Sequence, residues 1–314
     1  MKSILITSIG SSTAVNFIKL LKRRYEIIGC DINEYGYTAG SMMVDEYYKV
    51  SLSSDEKYIE EIVDIIKREN VKVIIPIHDE EIYQISKHKN QIEKAGVKVL
   101  IPEVEYIELF RDKYLASKAV QKIGVKIPKI FEGEIPINKQ KLIKREKVSV
   151  GSKGIEILDS WKENIIIDPK KEFLQEYIEG DEYTVDIMKY GDEEILIIPR
   201  LRMEIKSGVA TKVKIEKDEA LISVCKKILE EYPLMGFSNI QFIKDKNDNI
   251  YFIELNPRFG GMSISSVLAS DNYVELYVEK IIEDENSIKR VKEINIKWNS
   301  IVTRYFEEKI FYES

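Results

Sequence analysis

Apolar residues come in short runs at the start of the chain. Ile4 to Ile6 form one run, Ile27 and Ile28 inside "YEIIGCDIN" a second, and "VKVIIPI", residues 71–77, a third. Such runs, bounded by turn residues, mark strands buried on both faces. Between them the period lengthens. "SSTAVNFIKLLKRR" and "DEKYIEEIVDIIKREN" repeat their apolar residues at helical spacing, and Ser11, Ser12 and Thr13 can cap the first. A further helix is expected near "EEIYQISKHKNQIEKAG" and a further strand at "GVKVLIP". Strand–turn–helix–strand order predicts an open, parallel, Rossmann-like α/β sheet over residues 1–108.

The character changes at Arg111. "RDKYLASKAVQKIG" reads as an amphipathic helix with Leu115, Ala119 and Ile123 on one face, and "VKIPKIFEG" extends after it. From Lys139 onward strands and turns dominate. "KLIKREKVSV" and "EFLQEYIEG" read as strands, and "EYTVDIMKYGDEEILIIPRL" as a pair turning at Gly191-Asp192. "KDEALISVCKKILEEY" is a helix, "GFSNIQFIKDKNDNIYFIELNP" a hairpin turning near Asn247-Asp248, and "VELYVEKIIEDE" a late helix. The region 109–314 is therefore α+β, behind an α/β start.

The hairpin's second strand carries the first chemical signal. Alternation puts Tyr251, Ile253 and Leu255 on one face, and Phe252, Glu254 and Asn256 on the other. A carboxylate and an amide side by side are costly to bury unless something satisfies them. Gln241 on the first strand can join them, and such an oxygen set suits Mg²⁺ shared with substrate phosphates. Arg258 follows at once behind Pro257. Zinc does not fit, because the chain has only His78 and His88 and its two cysteines, Cys30 and Cys225, have no partner motif.

Composition narrows the classes. Of 314 residues, 44% are hydrophobic and 32% charged, which describes a globular chain rather than a disordered one. The net charge of −6, with lysines and arginines dispersed, argues against a nucleic-acid binder but leaves room for a phosphate-bearing small ligand. No apolar run reaches membrane-spanning length, and the chain enters a strand at once without a signal segment, so no membrane partner and a cytoplasmic location are expected. The turn after the first strand carries only Gly10, where a dinucleotide fingerprint needs three glycines, and Asp31 alone does not replace them.

Three segments add to the hairpin. In "VGSKG", Gly151, Ser152, Lys153 and Gly154 could bring backbone amides and a cation to phosphate oxygens, with Lys144 and Lys113 adding charge. In "LQEYIEGDEYTVDI", main-chain groups at Glu176, Tyr177 and Ile178 could grip a base, leaving Glu182 for ribose hydroxyls. Each segment taken alone also fits an ordinary hairpin with solvated charges.

Together these stretches resemble the ATP-grasp superfamily. "RDKYLASKAVQKIGVKIPK", "LIKREKVSVGSKGI", "QEYIEGDEYTVDI", "GFSNIQF" and "FIELNPRFGG" look most like the ATP-binding half-modules of carbamoyl phosphate synthetase large subunits and the stand-alone ligases related to them. "SILITSIGSSTAVNFIKLL", "IIGCDIN" and "VKVIIPIHDEE" resemble the pre-ATP-grasp domain of the same proteins. The resemblance implies an ATP-grasp domain over 109–314 with a mobile lid subdomain at about 125–180. It implies ATP and Mg²⁺ as cofactors, with Mn²⁺ as a substitute. Lys113, Lys144 and Gly151 to Gly154 would contact phosphates, Glu176 to Ile178 adenine, and Glu182 ribose. Gln241, Glu254 and Asn256 would hold the metal, and Arg258 the transferred phosphoryl group.

The activity implied is a ligase joining a small carboxylate to an amine through an acyl phosphate, releasing ADP and phosphate. A small-molecule kinase, one half of a split synthetase needing a partner, and a non-catalytic nucleotide binder are the alternatives. The loop has fewer glycines than in the synthetase halves, and the chain has one module where the synthetase couples two. His78, Asp79, Arg200, Arg202 and Lys206 are candidate substrate-lining residues, although "PRLRMEIKSG" reads equally as a solvated strand edge. Relatives are often dimers, which points to a homodimer.

Overall fold

The short apolar runs pair side by side. β1 (Ser3–Ile6), β2 (Glu26–Asp31), β3 (Glu46–Lys49) and β4 (Val73–Ile75) form a parallel sheet in the order β3-β2-β1-β4. β1 is buried throughout, as a strand covered on both faces requires. Ser11 caps α1 (Ser12–Leu21) by accepting from the Ala14 amide, and α2 (Tyr58–Arg68) packs its isoleucines onto the sheet. The structure is a computed structural model describing residues 1–132, 141–149, 154–159, 165–192, 194–206, 208–283 and 293–312.

Two expectations change here. The stretch "GVKVLIP" makes only an isolated bridge, Val73 to Lys98, and the helix before it divides into α3 (Asp79–Lys87) and α4 (Lys89–Glu93). The turn after β1 is also covered. A Cβ at Gly10 would sit 2.8 Å from Thr38, and one at Gly40 would sit 1.9 Å from the Ile9 carbonyl oxygen, so the loop after β2 lies on the β1–α1 turn.

α5 (Val104–Arg111) leads into α6 (Lys113–Lys122), which Asp112 caps by accepting from the Tyr114 and Leu115 amides. The buried face of α6 is Lys113, Ala116, Ser117, Ala119 and Val120. Leu115, expected on that face, stands in solvent. Beyond it a small antiparallel sheet runs β5-β8-β6-β7, from β5 (Ile130–Phe131), β6 (Lys141–Glu146), β7 (Ile155–Asp159) and β8 (Glu172–Glu176).

A larger antiparallel sheet runs β13-β12-β9-β10-β11-β14. Its strands are β9 (Gly180–Lys189), β10 (Ile195–Lys206), β11 (Val209–Ile215), β12 (Gly236–Asp245), β13 (Ile250–Asn256) and β14 (Ile301–Thr303). α7 (Glu219–Glu231) packs Leu221, Cys225, Ile228 and Leu229 beneath it. α8 (Ile264–Leu268) and α9 (Tyr273–Glu283) follow the hairpin.

One apolar cluster joins the two halves. Ile4, Phe17 and Ile75 share it with Phe237, Phe259 and Tyr277, and the Phe17 and Phe259 rings lie 4.8 Å apart. Among the described residues, no helix is long and apolar enough to cross a membrane.

Candidate active site

Strict alternation fails on β13, and the failure builds the site. Gln241 pairs with Glu254, but the next residue, Phe242, pairs with Phe252, so Ile253 is an extra residue in a β-bulge. Phe252 and Leu255 consequently both enter the core over α7, 0% and 1% exposed. Phe252 therefore does not share the polar face. Glu254 and Asn256 do face a cavity of about 410 Å³, and Gln241 lines it from β12.

Glu254 is the hub. Its Oε1 accepts from Gln241 Nε2 at 2.9 Å and from Asn256 Nδ2 at 3.2 Å, and its Oε2 from Arg145 Nη2 at 3.2 Å. Asn256 also donates to Asn239 Oδ1 at 3.3 Å. The three hairpin residues converge as the sequence suggested.

The cations do not all fall where expected. On β6, Ile143 and Arg145 line the cavity, while Lys144 points away and pairs with Glu156 at 2.7 Å. Arg145 is 3% exposed and donates to the Ile253 carbonyl at 3.1 Å as well as to Glu254. Burial lowers its pKa and the Glu254 carboxylate opposes that. The alternation that puts Ile143 on this side puts Arg145 there too, and that signal was legible. Lys113 is 6% exposed at the start of α6 and donates to Ser149 O at 2.7 Å and Oγ at 3.0 Å, with Ser149 in the cavity wall. Burial lowers the Lys113 pKa, and Glu254 works against the shift.

Glu176, Tyr177 and Ile178 also line the cavity, with Glu182. Glu182 accepts from Arg202 Nη1 at 2.8 Å, and Arg202 also reaches Gly208 O at 2.8 Å and Gln241 Oε1 at 3.4 Å. Gly151, Ser152 and Lys153 lie outside the described residues. Gly154, at φ 70°, is pressed against Glu146 and is not in the wall; a Cβ there would meet that side chain at 2.5 Å.

Arg258 Nε donates to Asp79 Oδ1 at 2.6 Å, and both residues line the cavity. Arg200 lines it too, held by Asp186. Two suggested lining residues lie elsewhere. Lys206, its side chain 72% exposed, pairs with Glu204 at 3.0 Å, because the end of β10 runs out into solvent. His78 is exposed and precedes α3, where its amide donates to Glu81 at 3.1 Å. Asn239 and Asp186 were not foreseen. Nothing in the sequence distinguishes them from ordinary strand residues.

The donor set at Glu254 is one carboxylate with the amide side chains of Gln241, Asn256 and Asn239. Among the described residues, no group of three or more His, Cys, Asp or Glu could hold a metal ion. One carboxylate with amide oxygens fits Mg²⁺ shared with nucleotide phosphates, and does not fit zinc.

A family model described as ATP-grasp in the biosynthetic pathway with Ter operon matches residues 168–302, and one described as a PylC-like N-terminal domain matches residues 4–100. Residues 168–302 are thus similar to ATP-grasp proteins, and residues 4–100 to a PylC-like N-terminal domain. The chain is 27% identical over 251 residues to a tyramine–L-glutamate ligase of Methanocaldococcus fervens, covering 78% of each. It is 26% identical over 196 residues to a carbamoyl phosphate synthase large chain of Agathobacter rectalis, and 23% identical over 300 residues to that of Pyrococcus furiosus. It spans only 18% and 28% of those two large chains. Among solved structures, a biotin carboxylase of Campylobacter jejuni superposes with a TM-score of 0.74 over 94% of this chain and 73% of that one, at 18% identity. An N5-carboxyaminoimidazole synthetase of Staphylococcus aureus, complexed with ADP, gives 0.73 over 97% and 82%, at 13% identity. At such identities the likeness establishes the ATP-grasp fold.

Proposed function

We propose that the protein is an ATP-dependent carboxylate–amine ligase. A small-molecule acid is phosphorylated on its carboxylate by ATP, an amine attacks the acyl phosphate, and an amide, ADP and phosphate leave. The observation that carries this reading is the meeting of Glu254, Gln241, Asn256, Arg145 and Arg258 around one cavity. Guanidinium groups gathered around this cavity suit transfer by positioning and charge neutralisation. The relative named tyramine–L-glutamate ligase, matched over most of both chains, favours carbon–nitrogen bond formation.

Each residue then has a task. Main-chain groups at Glu176 to Ile178 hold adenine, and Glu182 accepts ribose hydroxyls. Arg145 and Lys113 face the phosphates. Lys144 drops out of this set, because its side chain is turned from the cavity. Arg258, anchored by Asp79, steadies the phosphoryl group in transit and then the acyl phosphate. A Mg²⁺ ion held by Glu254, Gln241 and Asn256, or a Mn²⁺ in its place, would neutralise phosphate charge. We take the protein to act as a homodimer in the cytoplasm, in keeping with a structural neighbour described as a biotin carboxylase domain dimer.

The test is nucleotide turnover with Mg²⁺ and a matrix of acids and amines. ADP release should require one member of each class, and Glu254→Gln should lower it by at least about 100-fold without altering the far-ultraviolet dichroism. AMP and pyrophosphate as products, or turnover indifferent to the amine, would overturn the reading.

A further inference from the structure

Asp186 on β9 is filled by its neighbours. Arg200 on β10 donates to it from Nε and Nη2 at 2.8 and 3.2 Å, and both side chains are 4% exposed. Ser263 Oγ donates to Oδ1 at 2.5 Å and Ser266 Oγ donates to Oδ2. Four donors leave the carboxylate little capacity for anything more.

Arg200 is not filled. It lines the cavity, and its Nη1 has no partner among the described residues. Close by, just past β14, Arg304 donates to the Gly261 carbonyl, and among the described residues no carboxylate pairs with it. Burial lowers the Arg304 pKa, and the charge on Arg200 lowers it further. Two guanidinium groups thus share a partly buried corner whose counter-ion among the described residues is the already filled Asp186, an arrangement that an entering anion relieves. There is room for one. Gly261 lines the cavity, and a Cβ built on it would meet no atom within 4 Å, whereas one on Gly260 would strike Ser263 at 2.7 Å.

Building on the ligase reading, we propose that the acid substrate carries a second carboxylate. This group docks at the Gly261 end of the cavity, between Arg200 and Arg304, and leaves the carboxylate to be activated towards Arg258. Guanidinium forks match planar carboxylates in paired, charge-assisted bonds, so the corner selects dicarboxylates, or amino acids whose α-carboxylate stays free, over acids with one carboxylate. Arg200 is braced for this by Asp186, Ser263 and Ser266, and Arg304 is brought in by the pairing of β14 with β11.

The test reads binding without turnover. The full chain is melted with glutarate, which has two carboxylates, and with butyrate, which has one, at equal ionic strength. Wild-type protein should be stabilised by glutarate at a concentration about tenfold lower than by butyrate. Gly261→Ala, whose methyl enters the open corner, and Arg304→Gln, which keeps a donor for the Gly261 carbonyl, should each erase that preference. Both should melt, without ligand, within about 3 °C of wild type. Equal responses to the two acids, no response to either, or a preference that survives both variants overturns the proposal. Failure of the ligase reading would show separately, as no ADP release with any acid and amine, and would leave this melting result standing.

Discussion

Lys144 and Arg145 differ by one position and by a whole face of β6. Both are basic, and either could neutralise a phosphate, so charge alone cannot choose between them. The pleat chooses. Leu142 and Lys144 share one side, where Leu142 packs with Leu158 and Leu174, while Ile143 and Arg145 share the cavity side. Arg145 is also the better-fixed group, reaching the Ile253 carbonyl and the Glu254 carboxylate from one guanidinium. We expect Lys144→Ala to keep kcat/KM for ATP within about twofold. Arg145→Ala should lose about 100-fold or more, as removal of a preorganised donor does. Arg145→Lys should recover only part, because an ammonium cannot span both acceptors as a planar fork does. Steady-state ADP release measures all three, and equal losses at 144 and 145 would mean the face has been misassigned.

At the level of elements, the bulge on β13 decides which residues make core and which make chemistry. Under plain alternation Tyr251, Ile253 and Leu255 would form the apolar face. With Ile253 as the extra residue, Phe252 and Leu255 are buried instead and Ile253 becomes part of the cavity wall. Phe252→Ala should therefore cost about 3–5 kcal/mol. Ile253→Ala should cost about 1 kcal/mol. Urea unfolding with an unchanged slope separates the two, and the reverse ranking would contradict the bulge. The same contrast shows what a sequence can disclose. The parallel start, the cap at Ser11, the hairpin turning at Asn247-Asp248 and the convergence of Gln241, Glu254 and Asn256 depend on local period and turn chemistry, and all were readable. The bulge, the short β3 and the failure of "GVKVLIP" to extend depend on cross-strand register and on which neighbour arrives, which no single segment encodes. Asn239 and the Asp186 cluster were hidden for the same reason, since their partners lie 14 to 80 residues away.

Across the whole molecule, the sequence suggests two domains meeting near residue 108, but the apolar core ignores that boundary. Phe17 from α1 packs on Phe259 and Phe237, and the Tyr277 hydroxyl donates to the Leu100 carbonyl. The site crosses it as well, since Asp79 at the start of α3 anchors Arg258 behind the hairpin. Removing residues 1–108 would bare Phe237, Phe259 and Tyr277 together, on the order of 500 Å² of aromatic surface at typical burial per ring, beyond the largest patch most monomers tolerate. The fragment 109–314 should therefore aggregate or remain unfolded when expressed alone. The full chain should melt in a single calorimetric transition whose van't Hoff and calorimetric enthalpies agree. A folded fragment, or two resolved transitions, would show that the shared cluster is a docking contact rather than a common core. In that case the Asp79–Arg258 pair could open without unfolding either half, and Arg258 would be positioned by domain closure. A single transition instead means that the amino-terminal sheet, which brings Asp79 to the cavity, serves as one wall of the proposed site and stands or falls with it.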